Sequence, residues 1–401
     1  MGRCKSICFV TTGDIKTIAT AKRALGLANP LADLGWKVSI ILEDTDENRY
    51  RAKLECDERI NVFFHHYSSA LDEIKKKNII IRQIHPDYLY ICAFVKRNIV
   101  GLGYPCKRIV EHSELMSATE GFNQLKKINF SLTEYLSIFY ANGLLNASKY
   151  LQQHFQKVAF RLFRKNIPML YFPYAYNINI CVNKDQLSIE TFRNKLNIKR
   201  DEFVFVFLGS VTISFGAYLM VEAIKQVIEK GKYKVRLFIL GKGKYFNQLK
   251  EYVLKEPVLR NSVSLPGYVA EEDIPFYFSV ADSFVLPMND TIHDWARCPS
   301  KLYMYLPYNK PIITCKIGEP YEVLKQSGIY YECGSTDECS KLLQSSTTGI
   351  GMKYIENALS SMVAAMERVC DGNYCVKVNP FMHTWNQRAI DLNKWLNEAR
   401  L

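Results

Sequence analysis

Residues 7–42 read ICFVTTGDIKTIATAKRALGLANPLADLGWKVSIIL, and this stretch decides the fold of the first half of the chain. Its apolar run at 7–10 ends in a polar turn. An alanine-rich stretch at 20–34 has helical composition and stops at Gly35, and a second apolar run follows at 37–42. Strand, helix and strand in this order predict a β-α-β unit and therefore a parallel sheet.

The same alternation returns in the second half of the chain. Apolar runs at 203–208 and 235–240 enclose a helix-like stretch at 217–229. No internal sequence repeat accompanies the pattern, so we predict a similar architecture built twice. Further runs with strand character occur at 62–64, 88–92, 108–111 and 169–172 in the first half, and at 263–265, 283–286 and 311–314 in the second half.

The length of 401 residues exceeds what one hydrophobic core usually supports, so two domains are expected. We predict an N-terminal domain at 1–180 and a C-terminal domain at 185–380, with a polar linker near 177–188. Residues 115–157 are predicted to be mainly helical. The apolar spacing of the tail predicts a last helix within 381–401 that belongs to the N-terminal domain.

Composition narrows the function classes. No run of about 18 apolar residues occurs, so no transmembrane helix is expected. The 12 cysteines include no Cys-x-x-Cys pair and no histidine cluster, which argues against a metal site and for reduced thiols in the cytoplasm. The net charge of +12 is spread in small groups without a nucleic-acid-binding motif, so no nucleic acid partner is predicted.

Three basic groups, at 75–77, 126–127 and 157–165, suggest a peripheral membrane contact. The last of them interleaves phenylalanine and leucine with lysine and arginine. We expect weak, charge-driven attachment to an anionic membrane, at the inner face if the protein is cytoplasmic. Cations that merely cover an ordinary domain surface remain the competing interpretation.

The stretch from Leu286 to Thr314 carries the strongest functional signal. A strand ending in Leu286-Pro287 is followed by a polar loop, and a helix then opens at Pro299-Ser300-Lys301. The first N–H groups of a helix attract anions, Ser300 adds a hydroxyl, and Lys301 and Arg297 add full charges. This combination predicts a diphosphate site, although a well-capped helix would use similar residues.

Residues 263–322 resemble the donor-binding half of retaining glycosyltransferases of family 4, the glycosyl transferases group 1. The resemblance rests on Gly267-Tyr268-Val269, Pro299-Ser300-Lys301 and Lys310-Pro311-Ile312-Ile313, and upstream on the glycine-marked strand ends at Gly209 and Gly241. It implies the GT-B architecture: two Rossmann-like domains facing across a cleft, with the C-terminal helix crossing back to the N-terminal domain.

The resemblance also implies an activity. The enzyme would transfer a hexose-type sugar from a nucleoside diphosphate donor to a glycan, lipid-linked or small-molecule acceptor. Transfer would proceed with retention and without a metal or other cofactor, in polysaccharide or glycoconjugate synthesis. The N-terminal domain would bind the acceptor and the C-terminal domain the nucleotide sugar.

Two positions are implied to be catalytic. His112, in Glu111-His112, resembles the family's active-site histidine, although a strand-end histidine is often structural. Lys301 would stabilise the leaving diphosphate. Gly13 follows the first strand, where backbone N–H groups meet ligands, unless it only forms a turn. The predicted donor-binding residues are Gly13, Gly209, Ser210, Gly241, Tyr268, Arg297, Ser300, Lys301, Leu302, Glu319 and Glu322.

The chain departs from the family at four positions. Ser210 and Phe215 stand where the family usually has an arginine and a lysine, and Ala296 and Met304 where it usually has two glutamates. A thioether cannot replace a carboxylate as the acceptor for ribose hydroxyls, and Glu319 and Glu322 are the candidates to replace it. A second hypothesis is therefore a catalytically silent relative that acts as a binding or scaffold subunit.

Overall fold

Parallel strands organise both halves of the chain. The computed structural model describes residues 4–16, 20–119, 121–177, 185–212, 216–333, 352–399 and 401, and every structural statement below concerns these residues. The chain divides into an N-terminal unit, made of Met1–Ile178, Ala296–Cys298 and Phe381–Leu401, and a C-terminal unit, made of Asn179–Trp295 and Pro299–Pro380.

The N-terminal unit contains a seven-stranded parallel sheet among its described residues, in the order β3-β2-β1-β4-β5-β6-β7. Its strands are β1 Ser6–Val10, β2 Lys37–Glu43, β3 Asn61–His65, β4 Tyr88–Ile91, β5 Lys107–His112, β6 Gly143–Asn146 and β7 Met169–Tyr171. Its helices are α1 Thr20–Asp33, α2 Asp46–Glu55, α3 Ala70–Ile84, α4 Gln124–Tyr140 and α5 Lys149–Phe163, with the last helix of the chain, Trp385–Glu398, added to them.

Both faces of this sheet are covered, which is why its strands are continuous apolar runs. Ile7 and Phe9 pack with α1 and the last helix, whereas Cys8 and Val10 face α3, α4 and α5. The last helix seats Trp385 against Gly26, where an added Cβ would come within 2.4 Å of the indole ring. The predicted return of the chain terminus to the N-terminal domain is therefore confirmed.

The C-terminal unit repeats the construction with a six-stranded parallel sheet among its described residues, in the order β10-β9-β8-β11-β12-β13. Its strands are β8 Glu202–Leu208, β9 Lys234–Leu240, β10 Val263–Gly267, β11 Ser283–Val285, β12 Ile312–Thr314 and β13 Gly328–Tyr330. Its helices are α6 Gln186–Lys195, α7 Ala217–Glu229, α8 Phe246–Lys255, α9 Ile274–Val280, α10 Ile292–Ala296, α11 Ser300–Tyr305, α12 Gly318–Leu324 and α13 Met352–Cys370, and the helix Trp385–Glu398 is α14.

The structure adds detail to three local predictions. The stretch 115–157 is mainly helical, as predicted, because it holds α4 and the first part of α5. It also contains the unpredicted strand β6, which is too short to show a period of its own but is fully buried between β5 and β7. The predicted linker ends early, because α6 begins at Gln186 with Asp185 as its N-cap, while 178–184 lie outside the described residues. The polar loop before Pro299 contains the short helix α10.

Candidate functional site

Glycines end three neighbouring strands at the carboxyl edge of the C-terminal sheet. Gly209 follows β8, Gly241 follows β9, and Gly267 ends β10. The N–H of Gly209 donates to the carbonyl of Leu240 at 2.9 Å, and the N–H of Gly241 donates to that of Gly267 at 2.7 Å. An added Cβ at Gly241 would lie 2.2 Å from the Gly209 carbonyl oxygen, so only glycine fits there. Bare backbone at this edge is where ligands bind in such sheets.

An exposed aromatic ring and a cation stand beside this glycine edge. Tyr268 follows β10 and its side chain is 79% exposed. The Lys242 Nζ lies 5.8 Å from the centre of the Tyr268 ring. The sequence pattern pointed to Tyr268 but not to Lys242, although its position between Gly241 and Gly243 was an available signal. Together the two side chains offer a stacking surface and a positive charge.

Two tyrosines fix the short helix α11 on the sheet. Tyr305 is fully buried, and its hydroxyl accepts a hydrogen bond from the N–H of Leu208, the last residue of β8, at 2.9 Å. Its ring stacks on Phe284 of β11 with centroids 4.3 Å apart. The Tyr303 hydroxyl donates to Glu319 Oε1 at 2.7 Å. The six residues of α11 are thereby held against the carboxyl end of β8.

Three positions on α11 share its half-exposed face. Ser300, Lys301 and Met304 are partly exposed, whereas the residues between them are buried. At about 100° per residue these three positions fall within an arc of roughly 100°. The predicted phosphate-binding residues Ser300 and Lys301 are therefore on one side of the helix, and Met304 is on that side too.

Two of the predicted donor-binding residues belong to the interior instead. Leu302 is fully buried, and its N–H donates to the Pro299 carbonyl at 3.1 Å. Glu319 is also fully buried and receives the Tyr303 hydroxyl. Their side chains anchor α11 and α12 and offer no surface to a ribose. Of the two glutamates in this stretch, Glu322 is the more accessible, and it pairs with Lys325 at 2.8 Å.

Arg297 belongs to the N-terminal unit, whereas Ser300 and Lys301 belong to the C-terminal unit. The Ser148 Oγ donates to the Ala296 carbonyl at 2.7 Å, and the Cys298 N–H donates to the Ser113 carbonyl at 3.4 Å. Ala296, where the family usually has a glutamate, is fully buried in the core beside α4 and α5. Phe215, the other departure near Gly209, lies outside the described residues.

His112 ends β5 in the N-terminal unit. Its Nε2 lies 2.9 Å from the Ser137 hydroxyl, and its ring stacks on Phe155 with centroids 4.0 Å apart. Burial lowers the pKa of His112 to about 3, so the imidazole is neutral near pH 7. A neutral imidazole can exchange hydrogen bonds but carries no charge. Its catalytic role remains a prediction.

The loop after β1 holds Gly13 by bonds within the N-terminal unit. The Gly13 N–H donates to Glu43 Oε2 at 3.1 Å, and its carbonyl accepts from Asn48 Nδ2 at 3.1 Å. Asn48 is fully buried and also receives the Ile15 N–H at 3.0 Å. The backbone of Gly13 has a positive φ of 75°, which explains why a glycine occupies this position. The backbone donor that the sequence suggested for a ligand is therefore engaged by a carboxylate.

A buried ion pair next to His112 was not predicted from the sequence. Arg23 Nε of α1 lies 2.5 Å from Glu111 Oε1, and both side chains are almost completely buried. The Tyr90 hydroxyl donates to the other carboxylate oxygen at 2.6 Å. Burial raises the pKa of Glu111, and the positive charge of Arg23 opposes that rise. The Arg23 guanidinium also lies 5.7 Å from the Trp385 ring, which ties α14 to this cluster.

The position of Met304 on α11 leads to a prediction about the variant Met304→Glu. Because Met304 shares the half-exposed face of Lys301, Met304→Glu should change the unfolding free energy by less than about 1 kcal/mol. If a nucleotide ribose lies on this face, as the sequence predicts, the variant should also tighten nucleotide binding by supplying a carboxylate acceptor for ribose hydroxyls. Leu302→Glu is the matched control and should lose about 3 kcal/mol or more, because it buries a carboxylate. Urea unfolding and calorimetric nucleotide titration measure both effects. Equal destabilisation in the two variants would contradict the placement of Met304 on the half-exposed face.

Comparisons with known proteins agree with this architecture. A glycosyltransferase from Rickettsia africae superposes with a TM-score of 0.67 at 14% identity, over 99% of both chains. Anabaena HepE in complex with UDP-glucose superposes with a TM-score of 0.65 at 14% identity, over 97% of this chain and 99% of HepE. The chain therefore has the GT-B fold, two Rossmann-like α/β domains with the last helix packed on the first.

The sequence relationship is confined to part of the chain. Residues 188–346 match the family described as Glycosyl transferases group 1. An uncharacterized glycosyltransferase of Methanocaldococcus jannaschii is 33% identical over 156 residues, which make up 38% of this chain and 35% of that protein. The chain thus matches about a third of the length of that curated relative. The C-terminal unit is similar to group 1 glycosyl transferases, as the sequence motifs predicted.

Proposed function

We propose that the protein transfers a hexose-type sugar from a nucleoside diphosphate donor to a glycan or lipid-linked acceptor, with retention at the anomeric carbon. The observation that carries the proposal is the carboxyl edge of the C-terminal sheet. There, three strands end in glycines, and the fixed helix α11 carries Ser300 and Lys301. The solved structures of HepE with UDP and with UDP-glucose support a uridine nucleotide as the first donor to test.

The chemistry that this edge supports is stabilisation of a leaving diphosphate. Departure of the sugar leaves negative charge on the β-phosphate, and fixed positive groups nearby lower the barrier. We assign that part to Lys301, with the Ser300 hydroxyl as a further donor. Lys242 and Tyr268 would hold the nucleotide, the lysine through the phosphates and the tyrosine ring through the base.

A thermal-shift screen against nucleoside diphosphates and their sugars tests the site. A ligand that binds the native state raises the melting temperature by mass action, and UDP at about 100 times its Kd would add about 2.7 kcal/mol of stability. The rise should be reduced in a Lys242→Ala/Tyr268→Ala variant. If no nucleotide shifts the melting temperature of the wild-type protein, the proposed donor site is wrong.

Activity should survive chelation. Among the described residues, no group of three or more histidine, cysteine, aspartate or glutamate side chains is arranged to hold a metal ion. We base the expectation on Lys301, whose charge would serve the diphosphate in place of a divalent cation. Turnover in excess EDTA should therefore equal turnover without it. A loss in EDTA that is restored by Mg²⁺ or Mn²⁺ would show that the diphosphate needs a metal.

A catalytically silent binding subunit is the second candidate function. Ser210, Ala296 and Met304 replace the arginine and the glutamates that the family usually has. Such a protein would still bind a nucleotide, so binding alone does not separate the two functions. Release of the nucleoside diphosphate in the presence of acceptor does, because only an enzyme consumes the donor.

We also propose a cytoplasmic location at the membrane surface, in polysaccharide or glycoconjugate synthesis. The cysteines that the structure describes are free thiols, and several of them are buried. No helix in the described part of the chain is long and apolar enough to cross a bilayer. A lipid-linked acceptor would require the protein to meet the bilayer from one side, through a surface that can bind lipid.

A further inference from the structure

Helix α4 of the N-terminal unit carries a stripe of large apolar side chains that faces solvent. Five residues form this exposed stripe, each 46 to 79% exposed: Leu125, Ile128, Leu132, Leu136 and Phe139. Their spacing of three and four residues places them within an arc of about 80° on the helix. The stripe runs almost the full length of α4.

The buried side of α4 is more polar than the stripe. It contains Glu134, Ser137, Ile138 and Tyr140. Glu134 accepts hydrogen bonds from the N–H and hydroxyl of Ser117, at 3.0 and 2.6 Å. A surface helix normally turns its apolar side inward. The reversed arrangement indicates that the exposed stripe meets a second apolar surface outside this unit.

Helix α5 contacts the end of the exposed stripe, and the two helices carry a surplus of cations. The end of α5 lies against the end of α4, where the Phe139 and Phe163 rings are 4.7 Å apart and the Lys165 Nζ donates to the Ile138 carbonyl. Phe160 and Leu162 of α5 are also more than half exposed. The sequences of α4 and α5 contain one carboxylate, the buried Glu134. The Lys165 Nζ also lies 5.7 Å from the centre of the Phe139 ring. Further cations on the two helices and just after α5 include Lys126, Lys157, Arg161 and Arg164.

We propose that this surface docks on an anionic lipid bilayer, with the exposed stripe inserted at the boundary of headgroups and acyl chains. Apolar side chains along one helix face, together with an excess of lysine and arginine on the same two helices, have the composition of an interfacial membrane surface. The cations reach anionic headgroups while the stripe leaves water. A second copy of the chain fits less well, because a two-fold contact would bring the same cations of both copies together.

The proposal goes beyond the charge-driven attachment expected from the sequence, and it does not depend on the transfer reaction. Purely electrostatic binding is lost at high salt, because the Debye length falls from about 10 Å at 0.1 M to about 3 Å at 1 M. Insertion of the exposed stripe adds a hydrophobic contribution to the binding free energy, and salt does not screen that contribution. Binding should therefore weaken in 1 M NaCl without disappearing.

Vesicle flotation of the full chain tests the proposal. Vesicles of phosphatidylcholine with about one-third phosphatidylglycerol should bind the protein more strongly than phosphatidylcholine alone. The triple variant Leu125→Gln/Ile128→Gln/Leu132→Gln should lower the partition coefficient roughly tenfold or more and abolish binding in 1 M NaCl. The matched control Leu54→Gln/Leu187→Gln/Leu254→Gln changes three leucines that are exposed elsewhere and should bind like the wild type.

The contribution of the α5 cations is tested separately. The variant Lys157→Gln/Arg161→Gln/Arg164→Gln should lose the preference for anionic vesicles. It should keep the part of vesicle binding that persists in 1 M NaCl. Unchanged melting temperatures show that each variant is folded. Equal vesicle binding by the wild type and the Leu125 triple variant would overturn the proposal. It would also be overturned if light scattering showed a wild-type dimer that becomes monomeric in that variant, with no vesicle binding by either protein.

Discussion

Replacing Lys301 with alanine should lower turnover by roughly a hundred- to a thousand-fold, equivalent to about 3–4 kcal/mol of transition-state stabilisation. Lys301 lies on the half-exposed face of α11, and α11 is fixed to the end of β8 through Tyr305. A charge held in place needs no reorganisation when the diphosphate leaves. The effect should therefore fall on kcat more than on UDP affinity, because charge develops on the leaving group during the reaction.

The control for this prediction is Lys250→Ala, an exposed lysine of α8 in the same unit. This substitution removes the same positive charge, but from a residue that does not lie on α11. The turnover of Lys250→Ala should therefore match that of the wild type. Steady-state kinetics on both variants, together with calorimetric UDP binding, separate the two quantities. If Lys301→Ala keeps wild-type turnover, the diphosphate does not meet α11.

Breaking the buried ion pair should have the largest effect on stability. Arg23→Met leaves the Glu111 carboxylate buried without its cation, and we expect a loss of about 3–5 kcal/mol in the unfolding free energy. Because burial raises the pKa of Glu111, the deficit should shrink as the pH falls and the carboxyl group takes up a proton, since protonated Glu111 carries no charge to compensate. Urea unfolding at several pH values measures both effects.

A second substitution controls for the loss of packing. Arg23→Met/Glu111→Leu removes both charges, and it should recover much of the stability that the single variant loses. Arg49→Met breaks the pair with Asp44, in which the arginine side chain is about half exposed, and should cost far less, since water reaches and screens that charge. If the single and double substitutions at this cluster are equally destabilising, packing of the Arg23 side chain matters more than its charge.

The sequence predicted the fold well because buried parallel strands are visible as apolar runs. The run at 7–10 and the runs at 203–208 and 235–240 became β1, β8 and β9. β6 was missed because a four-residue strand has no readable period, and its helical neighbours dominate the window. Residues 178–184 and 213–215, which include part of the predicted linker and Phe215, lie outside the described residues.

The site was only partly readable because its residues are brought together through space. The start of α11 at Ser300 follows from local sequence, since proline and serine favour a helix start. The burial of Glu319 does not follow from local sequence, because it depends on the hydrogen bond from Tyr303 of α11 to this residue of α12. Likewise, no local signal places Arg297 with the N-terminal unit or pairs Arg23 with Glu111. These contacts are set by packing between segments that are distant in sequence.

The most direct test of the central claim is release of the nucleoside diphosphate from a panel of nucleotide sugars, with glycan and lipid-linked acceptors, for the wild type and Lys301→Ala. The proposed function predicts that at least one donor releases its diphosphate in the presence of an acceptor, and that the variant releases it at least about a hundred times more slowly. Donors that raise the melting temperature of the wild type but are never consumed, with any acceptor, would contradict the enzyme and leave a binding subunit in its place.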